Sequence, residues 1–252
     1  IGCVLTSMLL KKGHQVFSLD NLKHSKLKYL KKFNKYKKFK FLKCDINNLK
    51  QTEKLIKNNN INTIVHLAGI VGDPASKLQK KLTKKTNFES SKKLFFLCEK
   101  YNIKKFIFAS TCSNYGIVNS KKMADEKTRL KPLSLYAKTK VDFEKFMISQ
   151  NKKVRMQILI MRFATVFGVS DRMRFDLTIN QFVKEAFLDG FIEVYDADTN
   201  RPYCHVKDFA EIISMIIKTK DRDAIKNQIF NVGRDENNSS KKDLIKIIKS
   251  VY

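Results

Sequence analysis

Residues 105–116 read Lys-Phe-Ile-Phe-Ala-Ser-Thr-Cys-Ser-Asn-Tyr-Gly, and residues 136–140 read Tyr-Ala-Lys-Thr-Lys. The first stretch opens as an apolar run rich in Phe and Ile, Lys105–Ala109, and predicts a strand. It ends in a cluster of small hydroxyl side chains. The second stretch opens a predicted helix over Leu133–Gln150, where Tyr136 and Lys140 stand four apart and share one face. A strand that ends in hydroxyls and leads to such a helix points to an open α/β sheet, where ligands sit at the carboxyl ends of the strands.

Working outward, strands are predicted at Gln15–Leu19, Phe39–Leu42, Thr63–Leu67 and Val154–Arg162. Helices are predicted at Val4–Lys12 (with its C-cap at Gly13), Asn48–Asn58 and Lys77–Tyr101. Strict alternation of this kind predicts a parallel sheet with helices on both faces. After Gly168 the regularity weakens. Helices are predicted at Asp176–Leu188, Val206–Thr219 and Lys241–Tyr252, with strands near Ile192–Tyr195 and at Gln228–Val232. The expected architecture is a doubly wound, Rossmann-like α/β domain over residues 1–168. A small substrate lobe over 169–252 is interleaved with the last sheet elements. No repeat or low-complexity linker interrupts the chain.

The chain starts at Ile1 and Gly2 and enters a helix at once. Doubly wound domains start with a strand and a glycine-rich turn, so about ten further residues are expected in front. The last helix is expected to stop within its lobe. A chain cut in this way is expected to be unstable or inactive by itself.

At 252 residues and 43% hydrophobic content the chain can bury a sizeable core. No stretch reaches the roughly 18–20 consecutive apolar residues of a membrane span, and the first residues lack a basic leader. The five cysteines, at positions 3, 44, 98, 112 and 204, form no C-x-x-C pair and no finger spacing with the four histidines. They read as free buried thiols of a cytoplasmic protein, with no metal site. The net charge of +27 raises nucleic-acid binding as a function. The lysines, however, run along the whole chain, and arginine, which reads bases and clamps phosphates, is scarce. The charge is read as a solvated lysine surface.

The chemistry lies in the two opening stretches. An ammonium beside a phenol favours the phenolate and lowers its pKa from about 10. Such a tyrosine takes a proton from a sugar hydroxyl as hydride leaves the carbon, and the lysine holds a nicotinamide ribose. A hydroxyl at the strand end, Thr111, shares the proton with Tyr136, 136 − 111 = 25 residues on. Y-x-x-x-K alone recurs by chance in a lysine-rich chain and reads equally as a solvated helix face. The hydroxyl-ended strand in front of it is what gives it meaning.

Together these segments resemble the extended short-chain dehydrogenase/reductases of the NAD-dependent epimerase/dehydratase family. Ser110–Gly116 stands as S-[ST]-x-x-x-Y-G, and Tyr136 with Lys140 as Y-x-x-x-K. The resemblance runs from Gly2 to about Gly233. It implies that Thr111, Tyr136 and Lys140 are catalytic and that the cofactor is NAD. Gly2 would be the last glycine of G-x-x-G-x-x-G. Asp20, with Asn21, would bind the adenosine ribose and favour NAD over NADP. Cys44-Asp45-Ile46 resembles the segment beside adenine, and His66-Leu67-Ala68-Gly69 the H-L-A-[AG] turn near pyrophosphate and ribose, with His66 a packed strand-end residue. Asn87 would support the active-site geometry, Ser110 would meet the cofactor, and Ala164 would lie against the nicotinamide.

The same resemblance assigns substrate contacts to Thr111, Thr165, Thr178, Asn180 and Arg201. Met161–Gly168 resembles L-R-x-x-N-V-x-G with Thr165 in place of asparagine. Arg201–Asp208 resembles R-x-[FY]-x-H-V-x-D, so Arg201 would clamp a nucleotide diphosphate, while His205 and Asp208 would cap and orient the next helix. Dehydratases of the family carry acidic residues where this chain has Cys112 and Ser113. The expected reaction is therefore epimerisation of a nucleotide sugar at C4 through a keto sugar. The alternatives are a one-way reductase or dehydrogenase, then a 4,6-dehydratase, then a non-catalytic NAD-binding protein. A homodimer built on the Lys77–Tyr101 and Leu133–Gln150 helices is expected from the same resemblance.

Overall fold

The computed structural model describes residues 1–118, 123–219 and 225–251. In chain order the elements are α1 (Gly2–Lys11), β1 (Val16–Asp20), β2 (Phe39–Lys43), α2 (Lys50–Asn58), β3 (Thr63–His66), α3 (Asp73–Leu78) and α4 (Lys80–Lys84). Then come α5 (Ser90–Lys100), β4 (Lys105–Thr111), α6 (Leu135–Gln150), β5 (Gln157–Phe163), β6 (Thr165–Phe167) and α7 (Thr178–Asp189). The chain continues with β7 (Asn200–His205), α8 (Val206–Lys218), β8 (Gln228–Val232), β9 (Asn238–Ser240) and α9 (Lys241–Val251).

The central sheet runs β3-β4-β5-β8, parallel throughout, and β1 pairs in parallel with β2. A third sheet, β6-β7-β9, joins a parallel to an antiparallel pair. The central strands are apolar on both sides, as a doubly covered parallel sheet requires. Every residue of β5 is buried. Ile107, Leu159 and Met161 face α1 and α8, where Leu5, Leu9, Phe209 and Ile213 complete one core. Phe106, Phe108, Ile158 and Ile160 point the other way, onto Phe95 and Cys98 of α5 and Phe143 and Met147 of α6. The period of two along β4 and β5 thus serves two helical layers at once, which is the doubly wound arrangement. Each fully buried Phe or Leu here contributes about 1.5–3 kcal/mol.

Most expected elements are present with shifted ends. β4 runs on to Thr111, and β5 starts at Gln157 rather than Val154. α6 starts at Leu135 because the Ser134 hydroxyl caps it, accepting from the Ala137 amide at 3.1 Å. Two expectations need correction. The single helix over Lys77–Tyr101 is broken at Gln79 (φ −121°, ψ 49°) and contains a π-helical turn over Lys85–Glu89. The strand near Ile192–Tyr195 does not form. Ile192 and Val194 instead pack from a loop onto Phe182, Tyr203 and Leu244, and the strands in this region are the unanticipated β6, β7 and β9. The final helix is described to Val251, and Tyr252 lies outside the described residues. Among the described residues no helix is long and apolar enough to cross a membrane.

All five cysteines are free thiols. Cys98 and Cys204 are buried, whereas Cys3, Cys44 and Cys112 are only partly so, which corrects the expectation that all five lie in the core.

Candidate active site

The expected site residues lie at the carboxyl ends of two parallel pairs, β1 with β2 and β3 with β4, and at the amino ends of α1 and α6. Asp20 ends β1, and its Oδ1 accepts the Leu22 amide at 2.6 Å. Asn21 donates to Asp45 at 2.9 Å across the gap to the residues after β2, and this bond, with those from Asn47, holds the Asp45 carboxyl below its usual range. Asn21, Cys44 and Asp45 line an open cavity of about 590 Å³ at these two strand ends. Ile46 turns inward, onto the core beneath α2 and α5, so its side chain serves packing. Gly2 is exposed, and a Cβ added there meets only Leu67 Cδ1, at 3.9 Å.

After β3 the chain turns through Leu67, Ala68 and Gly69. Leu67 leans on the core and Ala68 is exposed. Asn87 holds this turn. It accepts the Ile70 amide at 2.8 Å, donates to the Ile70 carbonyl at 2.9 Å and also bonds Thr139 of α6 at 3.2 Å. A Cβ on Gly69 would stand 3.1 Å from Asn87 Oδ1 and 3.8 Å from Lys140 Nζ, so a larger residue would crowd the lysine. His66 lies inside the core, 2.8 Å from the Ser91 hydroxyl, and burial pushes its pKa down to about 3. It is a packed neutral histidine, as the sequence suggested.

The tyrosine, the lysine and the threonine come together at the end of β4. The Thr111 hydroxyl lies close enough to the Tyr136 phenol to favour its phenolate, and it accepts the Ser113 amide at 3.2 Å. Lys140 is buried, donates to the Ala109 carbonyl at 2.8 Å, and lies 5.9 Å from the centre of the Tyr136 ring. An ammonium has three donors, so this one keeps hydrogen-bonding capacity for a ligand. Burial pushes its pKa down to about 8, opposed by the Glu144 carboxylate.

From sequence the lysine was expected to make the phenol acidic. Burial instead pushes Tyr136 up to about 12, against the nearby Thr111 hydroxyl and Arg174 guanidinium, with Cys112 and Asp73 adding to the rise. The desolvation of the phenolate outweighs every charge the protein itself supplies.

Other expected contacts sit around this centre. Thr165 lies near the Cys112 thiol, which burial pushes up in pKa. Thr178 opens α7 near the Tyr203 phenol, whose buried hydroxyl has no hydrogen-bond partner among the described residues, and Arg201 is exposed on β7, close enough to act on Cys112 and Tyr203. Asn180 has both ends of its amide committed: it accepts from Gly168 and donates to the Arg174 carbonyl, each at 3.1 Å. It clamps the loop above the site. Ala164 is buried where β5 meets β8, its amide bonded to Val232. His205 caps α8 through Nδ1, accepting the Lys207 amide, as expected.

Ser110 donates its hydroxyl to Glu144 inside the protein. It belongs to a polar cluster that was not anticipated from sequence. Glu144 and Arg162, 0% and 3% exposed, form a buried ion pair at 2.7 Å. Asn114 donates to the same carboxylate at 2.7 Å. The other side of the guanidinium donates to Tyr115 at 2.9 Å and to the Glu126 carbonyl at 3.1 Å. Tyr115 in turn donates to Asn231 on β8 at 2.6 Å. The signal was present: Glu144 continues the spacing of four from Tyr136 and Lys140, and Arg162 is a charge within an otherwise apolar strand.

The turn that closes this segment depends on Gly116, which sits at φ +71° with its would-be Cβ driven into the Lys131 carbonyl oxygen. Gly116→Ala is expected to destabilise the fold by about 2 kcal/mol or more, through strain and displacement of that backbone. Urea unfolding measures it, and an unchanged midpoint would remove the turn from the account.

The profile of the NAD dependent epimerase/dehydratase family matches residues 1–233. The UDP-glucuronate 4-epimerase of Thermodesulfobacterium geofontis (strain OPF15) is 28% identical, over 99% of this chain and 76% of that protein. The uncharacterized UDP-glucose epimerase YtcB of Bacillus subtilis (strain 168) is 30% identical, over 86% of this chain and 69% of that one. The structure of the UDP-glucuronic acid 4-epimerase from Bacillus cereus in complex with UDP-glucuronic acid and NAD superimposes with a TM-score of 0.87. It is 25% identical and covers 100% of this chain and 79% of that one.

Proposed function

Because this chain belongs to the NAD dependent epimerase/dehydratase family, we propose that it epimerises a nucleotide sugar at C4 by transient oxidation to a keto sugar, with Thr111, Tyr136 and Lys140 as its catalytic residues. The observation that carries this reading is the meeting of the three side chains at the carboxyl end of β4. The fit to NAD rests on residues of this chain. A carboxylate ends β1 where a ribose diol would lie, and a buried ammonium keeps free donors beside Gly69. When bound, NAD⁺ supplies the hydride acceptor and a positive charge on its nicotinamide ring.

The chain's own residues do the rest. The Tyr136 phenol, pushed up to about 12 by burial, is the group that benefits most from any positive charge placed beside it. With the positive charge that bound NAD⁺ would add, it would ionise, and the phenolate would take the proton of the C4 hydroxyl and return it after the sugar has turned over. Thr111 holds the phenol oxygen in line and shares the moving proton. Lys140 binds the ribose and keeps positive charge behind the phenol. Arg201 neutralises the diphosphate, with Thr165 and Thr178 lining the sugar side. Cys112 and Ser113 leave no carboxylate next to Thr111, and the Cys112 thiol is raised by burial, which supports epimerisation over elimination of water.

Residues 1–168 would then hold the cofactor and 169–252 the sugar nucleotide. The exposed Phe96 of α5 and Ile148 of α6 support a homodimer through these two helices, which the molar mass in solution would test. The free thiols support a reducing, cytoplasmic setting.

The deciding experiment is to denature the purified full-length protein and assay the supernatant for NAD. Retained, near-stoichiometric cofactor together with interconversion of C4 epimers of a UDP-sugar is the expected result. A protein that arrives empty and consumes added NADH once per product would refute internal recycling.

The charge on Lys140 sets a pH limit. Its pKa is lowered to about 8, so the ammonium is present below that pH and is lost as pH rises through it. Affinity of the cofactor-free protein for NAD is expected to fall above pH 8. A flat titration there would mean that the ammonium is not a ligand.

A further inference from the structure

Three side chains on one face of α6 meet three consecutive residues of β4. Tyr136 lies beside Thr111, Lys140 donates to the Ala109 carbonyl at 2.8 Å, and Glu144 accepts the Ser110 hydroxyl. The spacing of four matches the helical repeat, so the three side chains share one face of α6. We propose that Glu144 is a positioning residue for the reaction. Its carboxylate locks the strand end that carries Thr111 onto the helix that carries Tyr136 and Lys140, and it sets a fixed negative charge one turn behind the Lys140 ammonium.

This rests on the reading of Tyr136 and Lys140 given above. The carboxylate is 0% exposed and holds both elements through Ser110, Asn114 and Arg162. A buried charge this well held is costly unless its place matters, because an apolar pair of the same shape is often as stable. The groups facing it are Arg162 from β5 and Ser110 and Asn114 from the end of β4, with Tyr115 across the guanidinium. The charged and titratable groups that face Lys140 are Glu144 and Tyr136 of its own helix and the neutral His66 of β3. Glu144 is thus the negative charge that opposes the desolvation of the ammonium.

The test compares the intact protein with Glu144→Gln, Glu144→Asp and the double variant Glu144→Gln/Arg162→Met, which removes both buried charges. Titration of Lys140 is followed by its pH-dependent acylation, read by mass spectrometry, which needs no substrate. In both Gln variants the midpoint is expected to move to lower pH, and kcat at neutral pH to fall with the ammonium fraction, about twofold for the first unit of that move and approaching tenfold for each unit beyond it, with the KM for sugar nucleotide little changed. Glu144→Asp is expected to restore the midpoint. Should Glu144→Gln fail to fold, the double variant carries the test. If the double variant melts normally and keeps both the wild-type lysine titration and wild-type kcat, Glu144 is only structural and the proposal is overturned. A shifted lysine in a protein that epimerises no sugar nucleotide would instead count against the functional reading and leave the effect of Glu144 on Lys140 standing.

Discussion

Replacing Tyr136 with Phe is expected to lower kcat by about 10²–10⁴, the usual contribution of a positioned acid–base group. The substitution removes one oxygen and keeps the ring that lies under Lys140. Only the phenol's polar contact with Thr111 is lost, and the phenol oxygen makes few other contacts, so the fold loses little. The KM for sugar nucleotide and the amount of NAD retained are therefore expected to stay near wild type, so that kcat and kcat/KM fall together. Steady-state assay, with cofactor content measured on the same sample, checks this. Activity within tenfold of wild type would show that another group carries the proton and would leave Tyr136 a packing residue.

The second large effect concerns stability. Arg162→Met leaves Glu144 charged and buried, with only Ser110 and Asn114 as donors. Breaking such a pair from one side costs about 3–5 kcal/mol. For a chain of this size each kcal/mol is worth roughly 2–4 °C, so Tm is expected to fall by about 10 °C. The Glu144→Gln/Arg162→Met pair is expected to recover most of that loss, because no unpaired charge remains. Calorimetry of the single and double variants decides between the alternatives. A single variant as stable as wild type would mean that water reaches the carboxylate and that the site is not sealed.

The two opening stretches were readable because burial and chemistry leave different marks on them. β4 is apolar on both sides and ends in hydroxyls, and α6 carries its tyrosine and lysine at helical spacing. Both signals are local. Glu144 and Arg162 left equally local marks but in different elements, and nothing in a single sequence says that a helix residue and a strand residue meet. The substrate side was legible only in part. β6 and β9 are three residues each, too short for a period to show, and their pairing with β7 is entirely long-range. Ile192 and Val194 alternate as a strand does, yet they pack from a loop because Phe182, Tyr203 and Leu244 supply a greasy surface without a free strand edge. The phenol's pKa was misjudged for a related reason. Desolvation depends on everything folded around the group, and sequence spacing reveals only the neighbour four residues away.

The π-helical turn at Lys85–Glu89 has a bearing on how this helix tolerates insertion and deletion. Such a turn holds one residue more than an α-helix needs. Taking that residue out would give a continuous helix with better hydrogen bonds, yet it would rotate the carboxyl-terminal turns by about 100° relative to the amino-terminal ones. Asn87, inside the π-turn, holds the loop after β3 and reaches Thr139 of α6, while Ser91, just past it, meets His66. These contacts lie on one side of the helix only while the extra residue is present. Along this stretch chain length itself is the constrained quantity, and a gain or loss of one residue would be felt at the Lys140 side of the site before any substitution of an exposed lysine nearby.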